Sequence, residues 1–538
     1  MSSSVATSDR PARARVAPRA RRSPLPASLV PLAAVAATVV VVAALAVGPW
    51  RLVLPLLVIA LGVVLRPQPS TAVGLALVAL PTTALLRRLT AGEDAYVPSD
   101  PLAVLVVLAA LPAFFLVRGR PRPAPGSGWL AAYLGWLVVT AGVASAGSLA
   151  TRVTGFLLVA VPCGIGYLTA RGWAGHAAGA VVRSLVVLLL PVSAYGVLQF
   201  FLAPRWDMAW LDSVKETLNS VGQPEARAFR VWGTMESPLS FALYVGLGLM
   251  AVLCWLVARR GTGRSGLRAS FAALVVAVGL TALVLTSVRS VLFALPLLLL
   301  GLAMLGLLPV GRVQAVFFAV VIAGGMYVGI NVLGLAAEGS STSRYQVSSL
   351  AQDQSVRDRL LLLPRFLAAA ANPVGSGPGT AGVAGSLTEG GTSNGIDNGY
   401  LSLLQEGGVV RLVLFLVVLG TALAAAVRTA RRSPRDPSAL FTVMVLGYYL
   451  LLELSSDVSS GAGSLVLWIC VGSALGRAAA APRARRGAAR GRHPLPAAPS
   501  PALQVHRPAH RAIAPPPDDA LAMWTGRPAA HAAAPLSP

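Results

Sequence analysis

YLSLLQEGGVVRLVLFLVVLGTALAAAV (400–427) is the stretch that decides the architecture. From residue 412 to 427 it carries no charge, and the only polar side chain is Thr421. A run of this length and composition crosses the ~30 Å hydrocarbon core of a bilayer as one α-helix. Its flanks are polar: Glu406 and Arg411 stand near its start, and Arg428, Arg431, Arg432 and Arg435 follow its end.

Working outward from this run, thirteen further apolar stretches fit the same template: 29–47, 52–65, 71–86, 101–117, 128–147, 153–170, 179–202, 237–257, 269–287, 289–307, 313–334, 439–454 and 461–478. The sequence therefore predicts an all-α, polytopic transmembrane helical bundle of about 14 spans (12–14). Composition agrees. The 538 residues are 55% hydrophobic and 12% charged, and their mean hydropathy is +0.71. Soluble domains hold about 25% charged residues. Residues 29–478 are read as one membrane domain, between a basic N-terminal segment (1–28) and an Ala/Pro/Arg-rich tail (479–538), both expected to be disordered. The first apolar run is long and lacks a small-residue cleavage site, so no cleavable signal peptide is expected.

A net charge of +24 would suggest nucleic acid in a soluble protein. Here arginines orient spans, and basic tails meet anionic lipid, so no nucleic-acid partner is expected. Arg10, Arg13, Arg15, Arg19, Arg21 and Arg22 place the N-terminus in the cytoplasm. Alternation then puts Arg118, Arg120 and Arg122, Arg259, Arg260, Arg264 and Arg268, Arg428, Arg431, Arg432 and Arg435, and the tail arginines inside as well. Arg87 and Arg88 break the pattern by falling outside. The acids are skewed the other way: only Asp9, Asp436, Asp518 and Asp519 of the 20 are cytoplasmic. Carboxylates contribute little to orientation, so this skew is read as functional groups gathered on the outer face.

Cys163, Cys254 and Cys470 lie in apolar runs without metal-ligand spacing and read as small core residues. Four of the five histidines (His493, His506, His510 and His531) lie in the tail, and only His176 lies in the membrane domain. A histidine metal site or catalytic triad is not expected there.

Two outward connections are long, 203–236 and 335–399. The second exceeds a plain connection. It holds SVRDRLLLLPRFLAAA (355–370), read as a short amphipathic helix on the membrane surface, then a Gly-rich run at 372–395.

Four motifs stand at this face. RAFRVWGTMESP (227–238) puts Arg230 at the membrane boundary, either snorkelling to head groups or serving function. LTSVRSVLFALP (285–296) puts Arg289 in a very short turn, where a charge so near hydrocarbon is either an interfacial anchor or functional. The long connection carries Arg357, Asp358, Arg359 and Arg365, and its glycines either form a lid or offer backbone N–H groups to an anion. GIDNGYLSLLQEGG (395–408) puts Asp397 at a helix-cap position, as a cap or a catalytic carboxylate. Glu406 there requires a partner, for which Arg411 and Arg289 are the candidates.

Taken together, these motifs resemble the O-antigen ligase and O-antigen polymerase superfamily of membrane glycosyltransferases. Members show Arg, Gly-Thr and Pro before a span, as in Arg230, Gly233, Thr234 and Pro238. They show a Thr-x-x-Arg turn, as in Thr286 and Arg289. An Arg-bearing helix with Pro and Gly-x-Gly follows, as in Arg359, Pro373, Gly375 and Gly377. Last come a His-Asn or Asp-Asn pair, an aromatic and Glu-x-Gly, as in Asp397, Asn398, Tyr400, Glu406 and Gly408. The resemblance covers about residues 180–430. Ligases carry His where this chain has Asp397, which makes it similar to the polymerase-like members.

The resemblance implies transfer of a polyprenyl-diphosphate-linked glycan to a sugar hydroxyl on the outer face of a bacterial cytoplasmic membrane. Arg230, Arg289 and Arg359 would bind the diphosphate, Asp397 and Glu406 would serve catalysis, and Gly233, Thr234, Gly375, Gly377, Asn398 and Tyr400 would support them. No cofactor or metal is implied. Partners would be the lipid-linked glycan, membrane lipid and a chain-length regulator or other glycan-assembly protein. The alternatives are a ligase with a lipid or protein acceptor, a lipid-linked oligosaccharide flippase or transporter, and a non-enzymatic scaffold.

Overall fold

The computed structural model describes residues 50–91, 101–118, 124–143, 147–173, 177–214, 221–258, 265–308, 362–381, 398–434 and 436–490. The expected spans at 29–47 and 313–334, both terminal segments up to 49 and beyond 490, Arg357, Asp358, Arg359 and Asp397 lie outside these residues. Chain contacts define a first unit, Met1–Ala484, which contains the bundle, and a second, Arg485–Pro538, of which only the helix end at 485–490 is described.

The described residues are helical, with no strand and a single antiparallel bridge, Gly222 to Phe229. In chain order the helices are α1 (Trp50–Leu65), α2 (Pro69–Ala91), α3 (Leu105–Ala110), α4 (Pro112–Phe115), α5 (Ser127–Val143), α6 (Leu149–Ala170), α7 (Ala177–Leu202), α8 (Arg205–Val214), α9 (Pro238–Ala258), α10 (Ser265–Leu285), α11 (Arg289–Met304), α12 (Leu362–Ala370), α13 (Gly399–Arg432), α14 (Pro437–Leu452) and α15 (Ser464–Arg490). Five contain segments long and apolar enough to cross a membrane: Pro69–Thr90, Thr151–Ala170, Ala177–Leu202, Pro238–Val257 and Gly399–Arg432. The described secondary structure is all helical, and its long apolar helices are those of a membrane protein.

Within the described residues the helices follow the apolar runs closely, with two corrections. The last helix runs past the expected end of its span at 478 to Arg490, into the tail expected to be disordered. The run at 101–117 is not one helix. A 3-10 turn (Pro101–Val104) leads into α3, and Pro112 opens the separate α4. Proline has no N–H to continue the ladder and its ring clashes with the preceding turn. The 203–236 connection is also more ordered than a plain loop, since it contains the amphipathic α8.

Lipid is the natural solvent of this bundle. Val187, Phe293, Leu297 and Val413 are at least half exposed on its helices, where hydrocarbon accepts them without the penalty water would impose. Inside, Tyr133 of α5, Phe415 of α13 and Trp468 of α15 stack with ring centroids 5.2–6.3 Å apart.

Short connections make successive helices antiparallel, so the connections sort into two ends. One end gathers the turn at 66–68, the ends of α4, α6, α9 and α13, and the starts of α5, α7, α10 and α14. The other gathers the ends of α2, α5, α7, α10 and α14, the starts of α6, α9, α11, α13 and α15, and the helix α8. Seven of the eight described carboxylates lie at this second, polar end, and Asp436 is the exception. Asp436 caps α14 through Ser438 and pairs with Arg477 at 2.6 Å.

Candidate functional site at the polar end of the bundle

Residues 230–237 form the centre of the polar end, and a buried ion pair holds them. Arg88, in the last turn of α2, meets Asp207 of α8 at 2.7 Å, and both side chains are sealed from solvent. Asp207 also accepts hydrogen bonds from Tyr195 Oη and Gln199 Nε2, each at 2.8 Å, and Trp206 Nε1 donates to Tyr195 Oη at 2.8 Å. Arg88 donates to the carbonyls of Met235 and Gly233. Gln199 Oε1 accepts from Gly233 N at 2.8 Å. Arg87 pairs with Glu236. Burial pushes the Asp207 carboxyl above the ordinary carboxylate range, and the opposing pull of Arg88 does not fully offset it. These pairs also explain the two arginines that break the charge pattern: both carry a carboxylate partner at their own end of the bundle.

The same loop joins the turn between α10 and α11. Arg230 Nε donates to Thr286 O at 3.0 Å, and Val231 N donates to Leu285 O at 3.1 Å. Thr286 Oγ1 in turn accepts from Val288 N at 3.2 Å, one residue before Arg289 begins α11. The structure thus brings the Arg230 motif and the Thr286/Arg289 motif onto neighbouring segments, and both arginines are half-buried.

A second polar assembly forms at the start of α13. Glu406 pairs with Arg411 at 2.6 Å, and both are buried. Its other carboxylate oxygen accepts from Gly379 N at 2.9 Å and Ala381 N at 3.4 Å. The Gly-rich run, expected either to form a lid or to offer its backbone N–H groups to an anion, holds the protein's own carboxylate through those of Gly379 and Ala381. Ser376 N and Gly377 N donate to the carbonyls of Gln405 and Glu406. This contact is so close that it excludes a Cβ from either side. Gly408 has φ +69° and ψ −175°, and a Cβ there would fall 1.8 Å from Pro373 O, while one on Gly375 (φ +79°) would fall 2.6 Å from Glu406 C. Gly408 thereby breaks α13 into an outer and a membrane-crossing piece.

The cap of α13 is Asn398, not the neighbouring Asp397. Its side chain accepts from Leu401 N at 2.9 Å and donates to Leu454 O at 3.0 Å. Tyr400 Oη donates to Leu450 O at 2.8 Å. Both tie α13 to the end of α14, whose following connection carries two further carboxylates. Asp457 accepts from Ser402 Oγ at 2.8 Å and from Ser460. Burial, reinforced by the neighbouring charges of Glu406 for Asp457 and of Asp457 for Glu453, raises both of these carboxyls.

Between the two assemblies lies a cleft holding about 930 Å³ of space free of protein atoms, part of it open to the outside. Leu80, Leu158 and Leu247 are among its apolar walls, and Glu236, Tyr244 and Asp457 are among its polar ones.

No protein-family model matches this chain, and no curated protein matches it.

The sequence motifs did not single out Asp207, Glu236, Tyr244 or Asp457. Glu236 stood inside a quoted motif but was overshadowed by Arg230. The signal for Asp207 was available: a carboxylate flanked by Trp206 and Trp210 on a short amphipathic helix. Asp457 lies in LSSDVSS, where four serines within three residues mark hydrogen-bond donors gathered around one acid. Within the described residues no group of three or more His, Cys, Asp or Glu side chains forms a metal site.

Proposed function

We propose that this protein is a membrane glycosyltransferase that extends a polysaccharide, moving a glycan from a polyprenyl-diphosphate donor to a sugar hydroxyl at the outer face of a bacterial cytoplasmic membrane. The observation that carries this reading is the bonding of the Arg230 loop to the Thr286–Arg289 turn, at the end of the bundle where the carboxylates gather. Arginine suits a leaving diphosphate because its planar fork matches phosphate oxygens and stays charged. Arg230, Arg289 and Arg359 supply that charge. Asp397 is the proposed proton acceptor for the attacking hydroxyl. Glu406, already engaged by Arg411 and two backbone N–H groups, acts as a positioning residue for the loop bearing Gly375 and Gly377. The resemblance of the motif set to O-antigen polymerases supports the same assignment, with ligation to a lipid or protein acceptor as its nearest variant.

Reconstitution with a polyprenyl-diphosphate oligosaccharide, read as product length on a gel, tests the reading. Arg230→Ala, Arg289→Ala and Arg359→Ala should each lower the rate by on the order of 10²–10³-fold, the usual cost of one lost charge-stabilising donor, while membrane insertion persists. Wild-type product length in all three variants refutes it. The presence of Glu236 and Asp457 in a cleft within the bundle favours one rival, a lipid-linked oligosaccharide flippase. A failed polymerase leaves single units outside the membrane, whereas a failed flippase leaves them inside.

A further inference from the structure

The cleft between α2, α9 and the 453–463 connection has the wrong charge for a phosphate. Glu236 and Asp457 both line it, and Arg87, which reaches Glu236, is already paired with it. A neutral hydroxylated group fits better. Ionised carboxylates only accept hydrogen bonds, and sugar hydroxyls donate them.

Tyr244 gives an independent indication. It is 3% exposed, it lines the cleft, and its hydroxyl has no hydrogen-bond partner. An unmatched buried polar group of this kind costs about 1–3 kcal/mol, and phenylalanine would fill the same space without that cost. The hydroxyl is explained if a ligand completes it. Below it the walls are apolar. From Leu239 near the polar end to Leu247 the cleft follows α9 for about 12 Å at 1.5 Å per residue, deep enough to take the start of a hydrocarbon chain as well as a head group.

We propose that this cleft binds a neutral, hydroxylated head group carried on an apolar chain, with Asp457 and Glu236 accepting from its hydroxyls and the Tyr244 hydroxyl completing the set. On the glycosyltransferase reading, on which this role rests, the occupant is the acceptor sugar lipid. It is held apart from the segments bearing Arg230 and Arg289, so that the donor's diphosphate and the acceptor's hydroxyl arrive from two differently charged sites.

The test uses the full-length protein in phosphatidylcholine nanodiscs and an octyl β-glucoside bearing a chain diazirine. After irradiation, label is expected on peptides covering 239–247 and 457–463, displaced by unlabelled octyl β-glucoside and not by octyl phosphate. Tyr244→Phe should weaken the competition several-fold, the effect of about one hydrogen bond. Tyr448→Phe is the internal control: its hydroxyl is equally buried and equally unpartnered, but it does not line the cleft, and it should leave affinity unchanged. Label confined to other peptides, equal displacement by octyl phosphate, or equal effects of the two tyrosine variants overturns the site. Displacement by a phosphate-free polyprenyl glycoside supports the acceptor role, whereas displacement by a diacyl glycoside alone overturns that role. Because labelling needs no turnover, a protein that binds glucoside here but makes no polymer refutes the glycosyltransferase reading and not the site, and polymer formation with label elsewhere does the reverse.

Discussion

Replacing Asp207 with leucine should be among the most damaging single changes at the polar end. The substitution strands the Arg88 guanidinium where water cannot reach it, since both side chains of the pair are at most 1% exposed. Breaking a buried pair by removing one partner costs about 3–5 kcal/mol. Arg88 keeps the carbonyls of Met235 and Gly233, which favours the lower end, near 3 kcal/mol. Tyr195 and Gln199 lose their acceptor as well, at about 1 kcal/mol each. The sum is about 5 kcal/mol, more than a thousandfold in the folding equilibrium. Arg88→Met with Asp207→Leu removes both charges together, and a pair replaced by apolar groups of similar volume is often neutral. The double variant should therefore be more stable than Asp207→Leu alone. Cys163, Cys254 and Cys470 are buried free thiols, so a thiol-reactive dye reports unfolding during a detergent titration. A loss below about 1 kcal/mol for Asp207→Leu, or single effects that simply add in the double variant, would refute this account of the loop.

Two further expectations follow from geometry. Gly408→Ala should abolish the contact between α13 and the 372–381 segment, because the new Cβ would overlap Pro373 O in a backbone conformation almost reserved for glycine; increased protease cutting near 372–381 checks this. Gly420→Ala, which meets nothing within 4 Å, should be neutral or add about 0.5–1 kcal/mol. A third concerns pH. The carboxyls of Asp457 and Glu453 are raised on folding, so the folded state binds their protons more tightly than the unfolded chain does. Their contribution to stability is then present below the unfolded carboxylate range and is lost as pH rises through the folded values. Hydrogen exchange of the 453–463 connection should quicken with rising pH beyond the intrinsic rate, and Asp457→Asn should reduce that extra slope. An unchanged slope would show that Asp457 does not titrate with folding.

Among the described residues the helices were legible because burial in lipid demands long apolar runs; the 101–117 run misled, where Pro112 outweighs hydropathy, and so did the segment after 478, which stays helical to Arg490. Glu406 and Arg411 were legible as partners because only five residues separate them in the chain. Arg88 and Asp207 were not, because nothing local links a helix end to a carboxylate so much later in the chain. The choice between Asp397 and Asn398 as cap also escaped the sequence. Both side chains can accept from a helical N–H, and only the reach of Asn398 Nδ2 to Leu454 O decides it. Asp457 and Tyr244 enter one cleft through the packing of α9 against the 453–463 connection, a tertiary fact with no local signature.

The pairing of Arg87 with Glu236 also sets a timetable for biosynthesis. The carboxylate is encoded 149 residues after its arginine, and translation at about 5–20 residues per second takes about 7–30 s to reach it. Through that interval Arg87 lacks the Glu236 carboxylate it meets in the folded protein, and for the earlier part of it Arg88 lacks Asp207, encoded 119 residues later. The polar end of α2 therefore reaches its folded pairing only after α8 and the 230–237 loop have been made.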